Sequence, residues 1–320
     1  MLLSSVWMAA GLLGLAVAHP VEKRADTLPP VDSAMDESVV QLALYLEHLE
    51  FVLYSSGYDN FTDAEYTAAG FPAGFRENVG VIAQHEATHA ATLSAILTKA
   101  GYTPVPPCIY DFPFDSPTSF VDLANMITSV GIGAYLGGGA LLTDDSALLT
   151  AASSILTVEA RHDSYLRAGV GASPFPTSFD TALTATFAFN LAQMFIVSCP
   201  MQLPIIKLPK LTLKSPTPPS NLQPPTPAGT ELQFTYDPTT FFNPTPDSTP
   251  LYIGLINMVT NITYTPVTSC GENCAQIPVP EGAAGAAFAV LTTFSGDAAL
   301  SEDQLTQFGT LAGPAEVILS

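Results

Sequence analysis

Glu86-Ala87-Thr88-His89 and Glu159-Ala160-Arg161-His162 repeat one pattern, Glu-x-x-His, at two distant places in the chain. On a helix, residues three apart project from the same side, so each string presents a carboxylate together with an imidazole. That donor mixture suits a divalent transition metal. The first copy also lies within Gln84-His85-Glu86-Ala87-Thr88-His89, which contains His-Glu-x-x-His. In a zinc protease His85 and His89 would bind zinc and Glu86 would activate water. Such a site needs a third ligand, and where the extended pattern asks for glycine and then histidine the chain has Thr92 and Ala95. A protease also has no use for a second Glu-x-x-His. A lone pair of this kind is an ordinary solvated feature of helix surfaces, but two copies point to a shared site. His85 and His48 are then neighbours of the site or surface residues.

The elements that must carry these residues are long helices. Apolar residues recur at helical spacing, as in Leu42, Leu46, Leu49 and Leu53, and predict helices over 37–54, 77–100, 119–136, 146–168 and 178–196, with cap-like Ser119, Ser146 and Ser178 at three starts. The Pro-rich connection 101–117 is long enough to cross over along a bundle rather than turn tightly. Glu47, in the first helix, lies seven residues before Tyr54 and shares its face. Glycines 131, 133, 137, 138 and 139 do not keep the spacing of a phosphate loop and instead predict close helix packing or a helix end.

Two Glu-x-x-His helices plus a glutamate from each of two others form the di-iron or di-manganese carboxylate arrangement of ferritin-like bundles. The chain resembles this superfamily over 37–168, and more closely the secreted fungal ferritin-like proteins of the stress-response and late sexual development type. The resemblance implies a four-helix bundle with a fifth helix, and metal ligands at Glu47, Glu86, His89, Glu159 and His162. It also places Tyr135 in "VGIGAYLGG" in a tyrosine slot and, seven residues earlier, Thr128 where a fourth carboxylate is expected. Thr128 is a poor ligand for a hard cation, and neither Asp122 nor Asn125 shares its face at that depth. Glu50, one turn from Glu47, is the candidate to compensate. The implied cofactor is iron or manganese, one or two ions, or none if the site has degenerated. The implied chemistry is metal-dependent oxidation with oxygen or peroxide. A non-catalytic cell-wall or extracellular structural protein is the alternative, and a zinc metalloprotease a weaker one.

Beyond residue 200 the character changes. Of the 28 prolines, 12 lie between 201 and 250, so 201–230 is expected to be a linker. Short apolar runs at 231–236, 251–268, 286–293 and 315–319 predict a sandwich-like β-rich domain over 231–320, with one short helix at 301–308 and no catalytic constellation. The mainly α bundle is expected to occupy 25–200.

Residues 1–24 read as a signal peptide with a short pro-segment ending at Lys23-Arg24, which predicts an exported protein. Apolar runs elsewhere are interrupted by charge, Gly or Pro, so no membrane anchor is expected. Asn60 and Asn261 lie in glycosylation sequons, whereas Asn243 is followed by proline. Four cysteines in an oxidising compartment imply disulfides. The simplest pairing joins Cys270 with Cys274 and Cys108 with Cys199, out of three pairings possible. The net charge of −20 repels nucleic acid and anionic membranes, while export and the family resemblance imply cell-wall or extracellular partners.

Overall fold

A computed structural model describes residues 28–215, 228–242, 249–259, 262–297 and 300–319. The expected signal peptide and pro-segment, Asn243, Asn261 and part of the Pro-rich stretch lie outside the described residues.

Four long helices form the bundle: α1 (Ala34–Asn60), α3 (Phe75–Lys99), α4 (Pro117–Gly139) and α5 (Ser146–Gly169). A short α2 (Asp63–Ala68), closed by a Thr62/Glu65 capping box, was not expected from periodicity because it is too short to show one. The caps sit slightly upstream of the serines singled out in the sequence. Ser116 caps α4, with Pro117 at the first position and Ser119 completing the box, while Asp145 caps α5 one residue before Ser146. A side-chain oxygen must precede the helix to reach the orphan amides of its first turn. The fifth helix, α6, is only Ala185–Ala192 and is capped by Thr184 rather than Ser178. Helix α3 ends in a left-handed Gly101, with Tyr102 N–H donating back to the Leu97 carbonyl.

Helix α4 is the one described helix long and apolar enough, by length and composition, to cross a membrane, which corrects the expectation that no such segment exists. Its apolarity has a simpler cause, since 83% of that window is buried inside the protein. Two of its glycines admit the extended segment before α6. A Cβ at Gly137 would lie 1.9 Å from the Leu183 carbonyl oxygen, and one at Gly133 would lie 2.9 Å from that of Thr181.

Two disulfides are present, Cys108–Cys199 and Cys270–Cys274. The first ties the crossover strand β1 (Ile109–Tyr110) to the end of β2 (Ile196–Ser198), which pair antiparallel.

The C-terminal part holds two antiparallel four-stranded sheets. One is ordered β3 (Leu211–Ser215), β4 (Glu231–Tyr236), β8 (Cys274–Pro278), β7 (Thr268–Gly271). The other is ordered β10 (Thr310–Leu319), β9 (Gly285–Thr292), β5 (Tyr252–Asn257), β6 (Thr263–Pro266). Strand β3 falls within the stretch read as a linker: its Leu211 and Leu213 alternate into the core, a signal masked by surrounding prolines. The short helix near 301–308 is a single turn (α7, Glu302–Gln304) that runs into a π-turn over Leu305–Gly309.

The second sheet is a middle layer, and the period-two geometry of its strands shows why. Along β9, Ala287, Ala289 and Leu291 join the core between the sheets, while Phe288 and Val290 join the core of the helical bundle. Along β10, Val317 and Leu319 face the other sheet and Ile318 packs against Met126 of α4. A strand buried on both faces reads as a continuous apolar run. Thr181 bridges the layers, donating to the Ala286 carbonyl at 2.7 Å and accepting from Met258 N–H at 2.7 Å.

Candidate metal centre

Glu47 and Glu50 are one turn apart on α1, Glu86 and His89 on α3, and Glu159 and His162 on α5, all within helices packed about one interior. Glu86 and Glu159 are fully buried, and Glu47 and Glu50 are 1% exposed. Four buried carboxylates in an apolar bundle need strong compensation, because an unpaired buried charge is costly.

The imidazoles supply part of it. His89 Nδ1 lies 3.2 Å from Glu47, 3.0 Å from Glu86 and 3.3 Å from Glu159. His162 Nδ1 lies 3.0 Å from Glu86 and 3.3 Å from Glu159. The two Glu-x-x-His pairs therefore cross, with Glu86 and Glu159 each touching both histidines. Donor atoms of Glu47, Glu86, His89 and Glu159 all fall within 4.8 Å of one another, a group that could hold a metal ion.

Protons balance the cluster. Burial lowers His89, but hydrogen bonds with Glu159, Glu47 and Glu86 outweigh that and push it up to about 12. His162 rises to about 9 as its bonds with Glu159 and Glu86 overcome the same burial. Burial raises Glu86, yet the bonds from His162 and His89 win and hold it down to about 2. Glu47 is pushed up to about 8, chiefly by burial and secondarily against the bond from His89. Glu50 lies well above the usual carboxylate range because of burial and then the charges of Glu159, Glu86 and Glu47.

Glu50 differs from the others in having neither carboxylate oxygen hydrogen-bonded. Space for it comes from α4, where a Cβ at Gly131 would stand 3.0 Å from Glu50 Oε1. The glycine expected only to serve helix packing thus makes room for a carboxylate.

The two tyrosines are arranged reciprocally. Tyr135 on α4 donates its hydroxyl to Glu47 on α1, and Tyr54 on α1 lies 2.6 Å from the Thr128 hydroxyl on α4. Thr128 is fully buried and its oxygen is engaged by Tyr54, so that slot offers no carboxylate. Asn125, one turn before Thr128, is committed elsewhere, its amide donating to Asp163.

His85 does not join His89 around a common point. Its Nδ1 lies 3.0 Å from Nε2 of His162, and the two rings stack with centroids 5.3 Å apart. Burial and the neighbouring His162 lower His85, so a protonated His162 donates Nε2–H to a neutral His85. His48 points elsewhere, to the Val105 carbonyl at 3.1 Å.

Residues 35–172 match the family described as ferritin-like domain, a span containing every glutamate and histidine of the cluster. The helical unit is a ferritin-like domain. The chain is also 34% identical over 170 residues to protein rds1 of Schizosaccharomyces pombe, an alignment covering 53% of this chain and 41% of the yeast protein. The chain thus spans less than half the length of that relative.

Within the ferritin-like domain, sequence spacing brought out Glu47, Glu86, His89, Glu159 and His162, which the fold gathers, and Glu50, which it places beside them. It missed Glu316. This glutamate lies on β10, is 4% exposed, and lines with Glu50 a small cavity of about 20 Å³. Burial, reinforced by Asp163, drives its carboxyl well up. The only sequence signal was an acid between apolar residues of a strand, in Ala315-Glu316-Val317.

Proposed function

We propose that the ferritin-like domain holds one or two iron or manganese ions and supports an oxidation that consumes oxygen or peroxide. The observation that carries this reading is the crossing of the two Glu-x-x-His pairs, in which the buried Glu86 and Glu159 each meet both imidazoles. Glu47, Glu86, His89, Glu159 and His162 are the proposed ligands, and Glu50 takes the place of the carboxylate that Thr128 does not provide. Buried carboxylates with unspent oxygens, on three of the four packed helices, fit a hard cation better than any neutral ligand set would. Such an ion, held by these residues, would supply Lewis acidity and a change of oxidation state. The chain's own residues set its surroundings: Tyr135 orients Glu47, His85 accepts from the outer nitrogen of His162, and the apolar wall of the bundle excludes water.

The chain is further proposed to be exported and to act outside the cell, in fungal development or stress. The leader-like N-terminus and two disulfides support export. Asn60, exposed at the end of α1, is the proposed glycan acceptor among the described residues.

A non-catalytic structural role is the second reading. Thr128 in a ligand slot favours it, as does the way protonated His89 and His162 already compensate the carboxylates without metal. Metal content per chain separates the readings. Loss of iron or manganese in His162→Ala with retention in His85→Ala supports the bundle centre; loss only in His85→Ala supports a zinc protease site. Protein that takes up neither metal at any pH supports the structural role and overturns the oxidation reading.

A further inference from the structure

Beside the candidate centre lies a cavity of about 450 Å³, walled by α1, α3, α4 and α5 and covered by residues 201–205. Its interior is apolar, with Leu42, Leu46, Leu93 and Leu148 in the walls, and small residues such as Ala134 and Ala152 leave the space unfilled. The cavity opens to solvent past Met35 and Leu141, and its volume falls in the range of small-molecule sites. Tyr135 forms part of the wall, while its hydroxyl donates to Glu47 on the other side. Tyr135 is therefore shared by the cavity wall and the carboxylate cluster.

We propose that this cavity binds a neutral, mostly apolar small molecule with one hydroxyl group, an alkyl or aromatic alcohol. The polar groups available to it lie at the rim, where Glu37, Ser38 and Gln202 contribute to the lining. Gln41, the other polar wall residue, is already committed, donating to the Thr103 carbonyl and accepting from Val105 N–H. A hydroxyl can donate to Glu37 or accept from Gln202. A ligand carboxylate would meet Glu37 at the rim of a chain of net charge −20, which favours the alcohol over the corresponding acid. Burial of the apolar body against the leucines supplies affinity, and the few rim groups supply orientation. This binding needs no metal and does not rest on the proposed oxidation.

Nile red fluorescence titrated against the full chain tests the site, with decanol and decanoate as competitors. Saturable binding of one dye per chain is expected, displaced by decanol at concentrations about tenfold below those needed for decanoate. Ala152→Phe fills the cavity and should weaken dye binding by about tenfold or more, with Ala134→Leu as the second variant should the first melt early. His162→Ala should lose metal yet keep dye binding, so failure of the centre and failure of the cavity are told apart. Absence of saturable binding in the unmodified protein, equal displacement by decanoate, or unchanged binding in a folded filled variant would overturn the proposal.

Discussion

The Tyr54 hydroxyl lies 2.6 Å from that of Thr128, and the partner interaction across the bundle joins Tyr135 to Glu47. Helices α1 and α4 thus repeat one device, a tyrosine reaching the residue in the other helix's ligand position. In one direction that residue is a carboxylate and in the other a neutral hydroxyl. The asymmetry leaves Glu50 as the carboxylate that makes up the deficit.

Replacement of Glu50 by glutamine should lower the manganese bound per chain, and adding Thr128→Glu to that variant should restore it. Thr128→Glu alone should lower the melting temperature of metal-free protein, because it adds a buried carboxylate beside Tyr54. Metal analysis and thermal melts read both effects, and failure of Thr128→Glu to rescue metal would sink the compensation by Glu50.

The metal-free protein should lose stability as pH rises. Glu47, displaced from an ordinary 4.5 to about 8, favours the folded state fully below 4.5 and loses that contribution as pH passes through about 8. His162, displaced from 6.5 to about 9, acts in the same direction over the next interval. Glu86 opposes them only in strong acid, since its value is lowered from 4.5 to about 2 and its contribution disappears as pH falls through that value. Melting temperature without metal should therefore be higher near about pH 5 than near about pH 9. Manganese must displace protons from these groups, so the stabilisation it confers should grow with pH. A metal-free protein that becomes more stable between those pH values would contradict the charge balance described above.

Tyr135→Phe removes the hydroxyl that donates to Glu47 within a buried site. A loss of about 1–3 kcal/mol in denaturant unfolding is expected, the cost of leaving a buried polar group unpartnered. Metal affinity should fall with it, because Glu47 loses the group that orients it.

Gly131→Ala and Gly137→Ala separate site from scaffold. A methyl group at 131 presses on the Glu50 carboxylate at 3.0 Å and should reduce metal content with a small change in stability. At 137 the added carbon would lie 1.9 Å from the Leu183 backbone oxygen, which cannot swing aside. A stability loss of about 3 kcal/mol is expected there, measured by chemical denaturation.

Replacing Cys108 and Cys199 by alanine opens a loop of sequence separation 91. The chain-entropy model predicts a loss of about 4.6 kcal/mol. Metal content should be unchanged, because the bridge lies between the crossover and the segment after α6, away from the carboxylates.

Much of this molecule follows from local rules acting on the chain itself. The helical period of Leu42, Leu46, Leu49 and Leu53 specifies α1, and the three-residue step of Glu86 to His89 and Glu159 to His162 fixes which side chains share a face. Those are properties of backbone geometry and need no neighbour. The sequence also carries the Thr128 substitution in plain view. Only the tertiary structure decided that His85 meets His162 rather than His89, because the rotation of one helix against another is set by packing and not by spacing within either. Contacts across the bundle likewise determined that Gly131 shelters Glu50. The C-terminal strands escaped a full reading for a related reason: β9 and β10 are covered on both faces, so their alternation is hidden, and a sheet's second face acquires its meaning from the layer packed against it. Glu316 became visible as a buried acid beside the bundle only once that layer was in place.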